Sequence, residues 1–350
     1  MAPFIYTALP GRVIFGHGTI GQVGEEVAAL GARRALVVTT PQQAGDGEAL
    51  VRRLGLLAAG LFAEATMHTP VEVTRRAIDA VQGAAADCIV ALGGGSATGL
   101  AKAIALRTDL PQIILPTTYA GSEATPIIGE TSDGRKHTQR TLKVLPEVII
   151  YDVDLTLTLP SALTATSGMN AIAHSVEALY AKDANPIVTA LAEQSIAALA
   201  RALPRLAAIP HDAEARADAL YGAWLAGICL GSVGMSLHHK LCHTLGGTFD
   251  LPHAETHSVV LPYALGYNAP AVPDALDRIA KALGTRDAVQ GLHALGRTIG
   301  VPQSLRELGM PRDGIAQAAE LALTNAYWNP RPLEKAAILE LLNRAWEGRQ

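Results

Sequence analysis

The chain has 350 residues, of which 49% are hydrophobic and 17% are charged, and its formal net charge is −4. This composition is typical of a folded globular protein and argues against disorder, which needs low hydrophobicity and high net charge. The lack of a basic stripe argues against a nucleic-acid partner, because phosphate binding needs clustered Lys and Arg. A chain of this length favours two domains.

The sequence indicates neither a membrane nor an oxidising compartment. It has no run of about 18 apolar residues that would predict a transmembrane helix, and Met1–Gly11 lacks the basic and apolar regions of a signal peptide. Its three cysteines, Cys88, Cys229 and Cys242, have no paired spacing that suggests disulfides. We therefore expect a cytoplasmic protein with no membrane partner.

The first half of the chain alternates short apolar runs with stretches of helical spacing. The runs that predict buried strands are Arg12–Phe15, Ala35–Thr39, Cys88–Leu92, Gln112–Leu115 and Val148–Tyr151. The stretches that predict helices are Ile20–Leu30, Glu48–Leu57, Val71–Ala85 and Ala97–Leu106. This alternation predicts a nucleotide-binding α/β domain over residues 1–160, with a Rossmann-like parallel sheet wrapped by helices.

The composition of the sequence changes after Leu159-Pro160, where long Ala- and Leu-rich stretches dominate and runs of β-branched residues become rare. The stretches are Ala162–Tyr180, Pro186–Leu206, Ala213–Leu230, Lys240–Leu245 and Ala275–Leu283. We expect an all-α domain over residues 161–350.

A glycine run marks the first candidate site. The strand Cys88–Leu92 leads directly into Gly93, Gly94, Gly95 and Ser96, and a helix follows. Glycines let the backbone approach a ligand closely, and a new helix offers unpaired N–H groups, so this turn suits a pyrophosphate. A tight strand–helix turn without a ligand is the alternative, and the usual G-x-G-x-x-G at the first strand is absent.

A second strand end supports a nucleotide crevice. Thr117, Thr118 and Ser122 follow the strand Gln112–Leu115, and the carboxyl ends of parallel strands line such crevices. Thr40 follows the strand Ala35–Thr39, where an NAD-specific site often has an acid that repels a 2′-phosphate. We therefore expect either NADH or NADPH as cofactor.

Histidines mark the second candidate site. Five of the 11 histidines lie in one short stretch, and His174 precedes them in the chain; the five are His238, His239, His243, His253 and His257. Asn170 and His174 share a helix face, as do His239 and His243, whereas His253 is expected in a loop after Pro252. The cluster fits a metal site, a proton-transfer site or scattered structural histidines.

At this point the sequence resembles the iron-containing alcohol dehydrogenase family over nearly its whole length. The motifs that carry the resemblance are Gly93–Ser96, Pro116–Thr118, Gly121–Glu123, Tyr151-Asp152, Leu159-Pro160, Gly168–Asn170 with His174, and His238–Pro262. The resemblance implies a dehydroquinate synthase-like fold with a nucleotide-binding N-terminal domain and a helical C-terminal domain, in a homodimer.

The sequence also departs from the family pattern at two positions. Metal-dependent members bind iron or zinc through an Asp and three His, which correspond here to Asn170, His174, His243 and His253. The Asp is missing, and Gly99 stands where many members carry another Asp. The sequence is similar to a branch of the family that works without a metal, so we expect none.

That branch reduces the carbon–carbon double bond of a small unsaturated keto-dicarboxylate. His243 and His253 are then the expected proton donors, with His174 and Asn170 shaping the site. The cations that could hold the substrate carboxylates are Lys136, Arg140, Lys143 and Arg331, and the family pattern puts Lys136 near the cofactor. A metal-dependent alcohol dehydrogenase and a non-catalytic nucleotide-binding protein are the alternatives.

Overall fold

The computed structural model describes residues 3–9, 11–132 and 135–349, and the side chains of Arg135 and Lys136 lie outside that description. It contains two compact units. One is Ala8–Leu159, and the other is Pro160–Gln350 together with the N-terminal segment Met1–Thr7.

The first unit contains a six-stranded parallel sheet with the order β1-β8-β5-β4-β2-β3. Its strands are β1 (Arg12–Gly16), β2 (Ala35–Val38), β3 (Ala58–Phe62), β4 (Cys88–Gly93), β5 (Gln112–Pro116) and β8 (Val148–Asp152). Its helices are α1 (Val23–Ala29), α2 (Ala44–Leu54), α3 (Val71–Gly83) and α4 (Gly95–Thr108).

The central strands are apolar without alternation because both faces of the sheet are covered. Every residue of β2, β4 and β5 is buried. Leu36, Ile89 and Ile114 belong to the core on one face, whereas Val37 and Val90 belong to the core on the other. The predicted parallel α/β domain is confirmed.

Sequence reasoning missed three strands. Strand β3 has the sequence AAGLF, which lacks the β-branched residues that usually mark a strand. The other two form an antiparallel hairpin of β6 (Ile127–Ser132) and β7 (Arg135–Arg140). Strand β7 reads RKHTQR and has no apolar side chain that could signal a strand.

The strand order reverses between β2 and β4. From β2 the chain continues outward to β3, and from β4 it continues in the opposite direction through β5 to β8. In open parallel sheets, ligands bind outside the carboxyl ends of the strands at such a switch point. Thr40 and the glycine run follow the two strands that flank this point.

The second unit is helical, as predicted. Its helices are α5 (Ser161–Leu179), α6 (Pro186–Ala208), α7 (Ala213–Ser232), α8 (Leu237–Phe249), α9 (His253–Asn268), α10 (Pro273–Leu283), α11 (Ala288–Ile299), α12 (Gly314–Leu323) and α13 (Lys335–Glu347). Helix α5 is buried along its whole length from Thr164 to Leu179, as a helix that is apolar on all sides must be.

The expectation that His253 lies in a loop was wrong. Pro252 has an extended backbone and serves as the N-cap of α9, so that His253 is the first residue of that helix. A proline near a helix start costs no hydrogen bond, because the first backbone N–H groups have no partner within the helix.

Within the described residues, no single helix has the length and apolarity to cross a membrane. The pair α7 and α8 meets both criteria only when the two helices are taken together across a 95° bend.

Candidate functional site

The glycine run forms an open helix N-terminus at the edge of the sheet. Helix α4 begins at Gly95, and no side chain caps it. A Cβ atom on Gly94 would lie 2.8 Å from Cγ2 of Thr118, so a larger residue would collide there. A Cβ on Gly95 would meet nothing within 4 Å. The turn thus presents backbone N–H groups and the positive end of a helix dipole, which suit an anion.

The ends of β2, β4 and β5 lie beside one another at this edge. Gly93 pairs with Pro116 in register. The backbone N–H of Thr117 donates to the carbonyl oxygen of Gly93 at 3.1 Å. The side-chain amide of Gln43, which lies shortly after Thr40, donates to the Thr117 hydroxyl at 3.3 Å. The structure therefore brings together the loops predicted to bind the cofactor.

Two hydroxyl groups at this edge are buried without a hydrogen-bond partner among the described residues. They are Oγ1 of Thr39 and Oγ of Ser122. A buried hydroxyl usually has a partner, so each could bond a ligand that enters the crevice. Together with the open N-terminus of α4, these groups fit a dinucleotide.

Lys102 fixes the loop that carries Ser122. Its Nζ atom donates to the carbonyl oxygens of Ser122 and Thr125 at 2.6 Å and to that of Ile127 at 3.0 Å. Burial lowers the pKa of Lys102 to about 7, although nearby Glu123 acts in the opposite direction. Sequence reasoning missed this lysine because it lies within the apolar face of α4.

The structure shows why Gly99 can stand where many family members carry an Asp. A Cβ on Gly99 would lie 2.4 Å from the Thr69 hydroxyl, so the Thr69 side chain occupies the space that an acidic residue would need. Thr69 has a φ of 47°, which is uncommon for a β-branched residue.

The six histidines of the second candidate site come together in the helical unit. His174 lies on α5; His238, His239 and His243 lie on α8; and His253 and His257 lie on α9. The ring centroids of His253 and His257 are 4.3 Å apart, and those of His239 and His257 are 5.0 Å apart. Three helices therefore converge on one imidazole cluster.

Two members of this cluster are accessible to solvent. His253 is exposed and His243 is half-buried, with their rings stacked at a centroid distance of 6.4 Å. Nδ1 of His243 lies 3.0 Å from the hydroxyl oxygen of Tyr327. Asn170 and His174 are buried. The two predicted proton donors are thus the members that a substrate can reach.

The structure pairs His174 with His239. Nδ1 of His174 lies 2.8 Å from Nε2 of His239, and Nδ1 of His239 lies 2.8 Å from Oε2 of Glu177. Sequence reasoning missed Glu177. Its signal was a lone acidic residue in an apolar helix, since a buried carboxylate needs partners.

His238 and His257 form a second, fully buried pair within the same cluster. Nε2 of His238 lies 2.9 Å from Nδ1 of His257. Burial, followed by the neighbouring histidines, lowers the pKa of both rings well below the ordinary value. Nδ1 of His238 and Nε2 of His257 have no partner among the described residues. Both rings are therefore neutral and are unsuited to proton donation near neutral pH.

A cavity of about 330 Å³ lies beside His243. Lys240 and Tyr327 line it as well, and Nζ of Lys240 donates to the carbonyl oxygen of Thr324 at 2.8 Å. Burial lowers the pKa of Lys240. Lys240 was not among the cations predicted to hold a substrate.

Two of the predicted cations, Lys143 and Arg331, have partners of known identity. Lys143 forms an ion pair with Asp109 at 3.4 Å. Arg331 donates to the carbonyl oxygen of Tyr267 at 2.8 Å and stacks over its ring. Arg140 lies on β7, and the side chain of Lys136 lies outside the described residues.

At the family's metal position, the residue that corresponds to the acidic ligand is an amide. Asn170 contributes no charge, and its Oδ1 atom is buried without a partner among the described residues. One group of three residues in the described part of the chain has ligand atoms within 4.8 Å of one another, and that group is His238, Cys242 and His257. Burial raises the pKa of the Cys242 thiol well above its ordinary value, which opposes the thiolate that a metal requires.

Comparisons with known proteins cover the whole chain. The model "Iron-containing alcohol dehydrogenase" matches residues 10–153, and "Fe-containing alcohol dehydrogenase family, C-terminal" matches residues 164–346. A maleylacetate reductase from Rhizobium sp. (strain MTP-10005) is 58% identical over 348 residues, which are 99% of each chain.

Solved structures give the same result. The crystal structure of maleylacetate reductase from Agrobacterium tumefaciens is similar with a TM-score of 0.97 and 57% identity, and the match covers 99% of both chains. That of an iron-containing alcohol dehydrogenase from Corynebacterium glutamicum has a TM-score of 0.96 and 41% identity, covering 100% of this chain and 98% of that one.

Proposed function

The chain belongs to the iron-containing alcohol dehydrogenase family, and from this premise we propose that it reduces the carbon–carbon double bond of maleylacetate to give 3-oxoadipate. The observation that carries the proposal is its similarity, along 99% of the chain, to named maleylacetate reductases. Asn170 in place of a charged ligand accords with it. The test is oxidation of NADH in the presence of maleylacetate, with 3-oxoadipate identified as the product.

The α/β unit holds the cofactor. Backbone N–H groups at Gly94, Gly95 and Ser96 bind its pyrophosphate, and hydroxyl groups of Thr117, Thr118 and Ser122 bond to its polar atoms. The nicotinamide, when bound in its reduced form, supplies the hydride.

Residues of the helical unit stabilise the negative charge that develops on the substrate and donate the proton. Hydride addition β to the ketone puts negative charge on the ketone oxygen, and hydrogen-bond donors aimed at that oxygen lower the barrier. His243 and His253 supply such donors and the proton, because they are the accessible members of the cluster. Asn170 and His174 shape the buried side of the site.

We propose that no metal takes part. An enone is already electrophilic, so hydrogen bonds at the developing enolate oxygen can replace a Lewis acid. The loss of the ligand carboxylate at Asn170 lowers affinity for a divalent ion in the same site. We also propose that the chain forms a homodimer, as the family resemblance implies, and that it is cytoplasmic.

Lys240→Met is expected to raise KM for maleylacetate about tenfold, equivalent to about 1.4 kcal/mol. The reason is that Lys240 is the cation on the wall of the cavity beside His243, where a substrate carboxylate can bind. Steady-state kinetics give the result, with Lys182→Met as a control at an exposed lysine. An unchanged KM in Lys240→Met would remove this lysine from substrate binding.

NADPH is expected to support the reaction along with NADH. No acidic residue follows β2 at Thr39-Thr40 to repel a 2′-phosphate. The measurement is kcat/KM for the two cofactors. A preference for NADH above about a thousandfold, roughly 4 kcal/mol, would contradict this account of the ribose site.

A further inference from the structure

Glu177 is a carboxylate enclosed in the helical unit, three residues after His174 on α5 and 0% exposed. Its Oε2 atom accepts a hydrogen bond from the backbone N–H of Ser236, and its Oε1 atom accepts one from the backbone N–H of His238, both at 2.7 Å. These bonds come from the first turn of α8, which fixes both carboxylate oxygens.

One of these oxygens begins a chain of side-chain hydrogen bonds. Oε2 of Glu177 lies 2.8 Å from Nδ1 of His239, and Nε2 of the same ring lies 2.8 Å from Nδ1 of His174. The three residues are buried, so solvent does not compete for these bonds.

The chemistry of the groups sets the direction of each bond. A carboxylate can only accept, so Nδ1 of His239 carries a hydrogen. The second nitrogen of a neutral His239 is then an acceptor, and Nδ1 of His174 must donate to it. A neutral His174 is therefore left with its lone pair on Nε2.

We propose that Glu177 is a positioning residue, which sets the tautomer and ring orientation of His174 through His239. With that tautomer, Nε2 of His174 is a hydrogen-bond acceptor, whereas the opposite tautomer would make it a donor. The role in turnover rests on the proposed reduction of maleylacetate; the tautomer does not.

The tautomer is tested first in the unaltered protein. Nitrogen NMR of histidine-labelled protein, with the signals assigned by single substitutions, reports which ring nitrogen carries the hydrogen. The proposal expects hydrogen on Nδ1 of both His239 and His174. Hydrogen on Nε2 of either neutral ring would overturn it, whether or not the protein reduces maleylacetate.

Glu177→Gln tests the consequence for turnover. Where its NH2 group replaces Oε2, the glutamine amide donates to Nδ1 of His239, which reverses both tautomers and puts the hydrogen on Nε2 of His174. Nitrogen NMR of the variant shows whether this reversal occurs. We expect kcat for maleylacetate to fall about a hundredfold or more, with KM for NADH unchanged. Glu26→Gln is the matched control, because Glu26 is a buried carboxylate paired with Arg12 and belongs to the other unit.

The two readouts separate a positioning role from a structural one. A folded Glu177→Gln protein with reversed tautomers and unchanged kcat would overturn the proposal, as would a fall in kcat without a change in the His174 tautomer. If the variant fails to fold, the spectrum of the unaltered protein decides. If the unaltered protein does not reduce maleylacetate, the proposed function is refuted. The nitrogen NMR spectrum of the unaltered protein then still tests the hydrogen bonds that join Glu177, His239 and His174.

Discussion

Gly95→Val is expected to raise KM for NADH about a hundredfold or more, a loss of roughly 2.7 kcal/mol in binding. Gly95 is exposed at the first position of α4, and no other atom lies within 4 Å of the position that a Cβ atom would take there. A valine there fits the fold but occupies the space in which a pyrophosphate would meet the helix N-terminus. The melting temperature should therefore stay close to that of the unaltered protein.

The matched control for this prediction is Gly83→Val. Gly83 is also helical and also has nothing within 4 Å of its absent Cβ, but it lies at the end of α3. The control should leave KM for NADH unchanged. Equal KM values for Gly95→Val and the unaltered protein, with both folded, would show that the cofactor does not bind at this turn.

His243→Ala is expected to lower kcat by a factor of about a hundred to ten thousand, the usual range for loss of a general acid. His243 is half-buried on α8, bonded to Tyr327 and stacked beside His253, so that a substrate can reach its ring. Truncation removes a hydrogen-bond donor without opening the buried core. KM for NADH should not change, because His243 is not among the residues proposed to bind the cofactor.

His211→Ala is a suitable control for His243→Ala, because His211 is an exposed histidine of the same unit. His238→Ala is not, because His238 is fully buried against His257 and its loss is expected to destabilise the fold. If His243→Ala keeps a kcat near that of the unaltered protein, His243 is structural and His253 becomes the proton donor to test.

The fold could be predicted wherever a buried element appears in the sequence as a continuous apolar run. The apolar runs of β2, β4 and β5 and the uninterrupted apolar helix α5 are direct consequences of being covered on all sides. Strand β7 could not be predicted, since its polar sequence is stabilised by pairing with β6 rather than by burial of its own side chains.

The candidate site could be predicted only in part. The spacing of residues along the sequence shows which side chains share a face of one helix, but it does not show which residues of different helices make contact. The sequence indicated that Asn170 and His174 share a face of one helix, and the structure agrees. It could not indicate that His239 would meet His174, since that depends on how α8 is placed beside α5 in the fold. The role of Glu177 was hidden for the same reason: its partners lie on another helix.

The central claim is that this chain reduces maleylacetate without a metal. The most direct measurement is NADH consumption with maleylacetate by protein that has been dialysed against EDTA and shown by elemental analysis to contain no iron or zinc. We expect the dialysed protein to retain the full activity of the untreated protein and to form 3-oxoadipate. Activity that is lost on chelation and regained with iron or zinc would contradict the claim and would indicate a metal-dependent alcohol dehydrogenase.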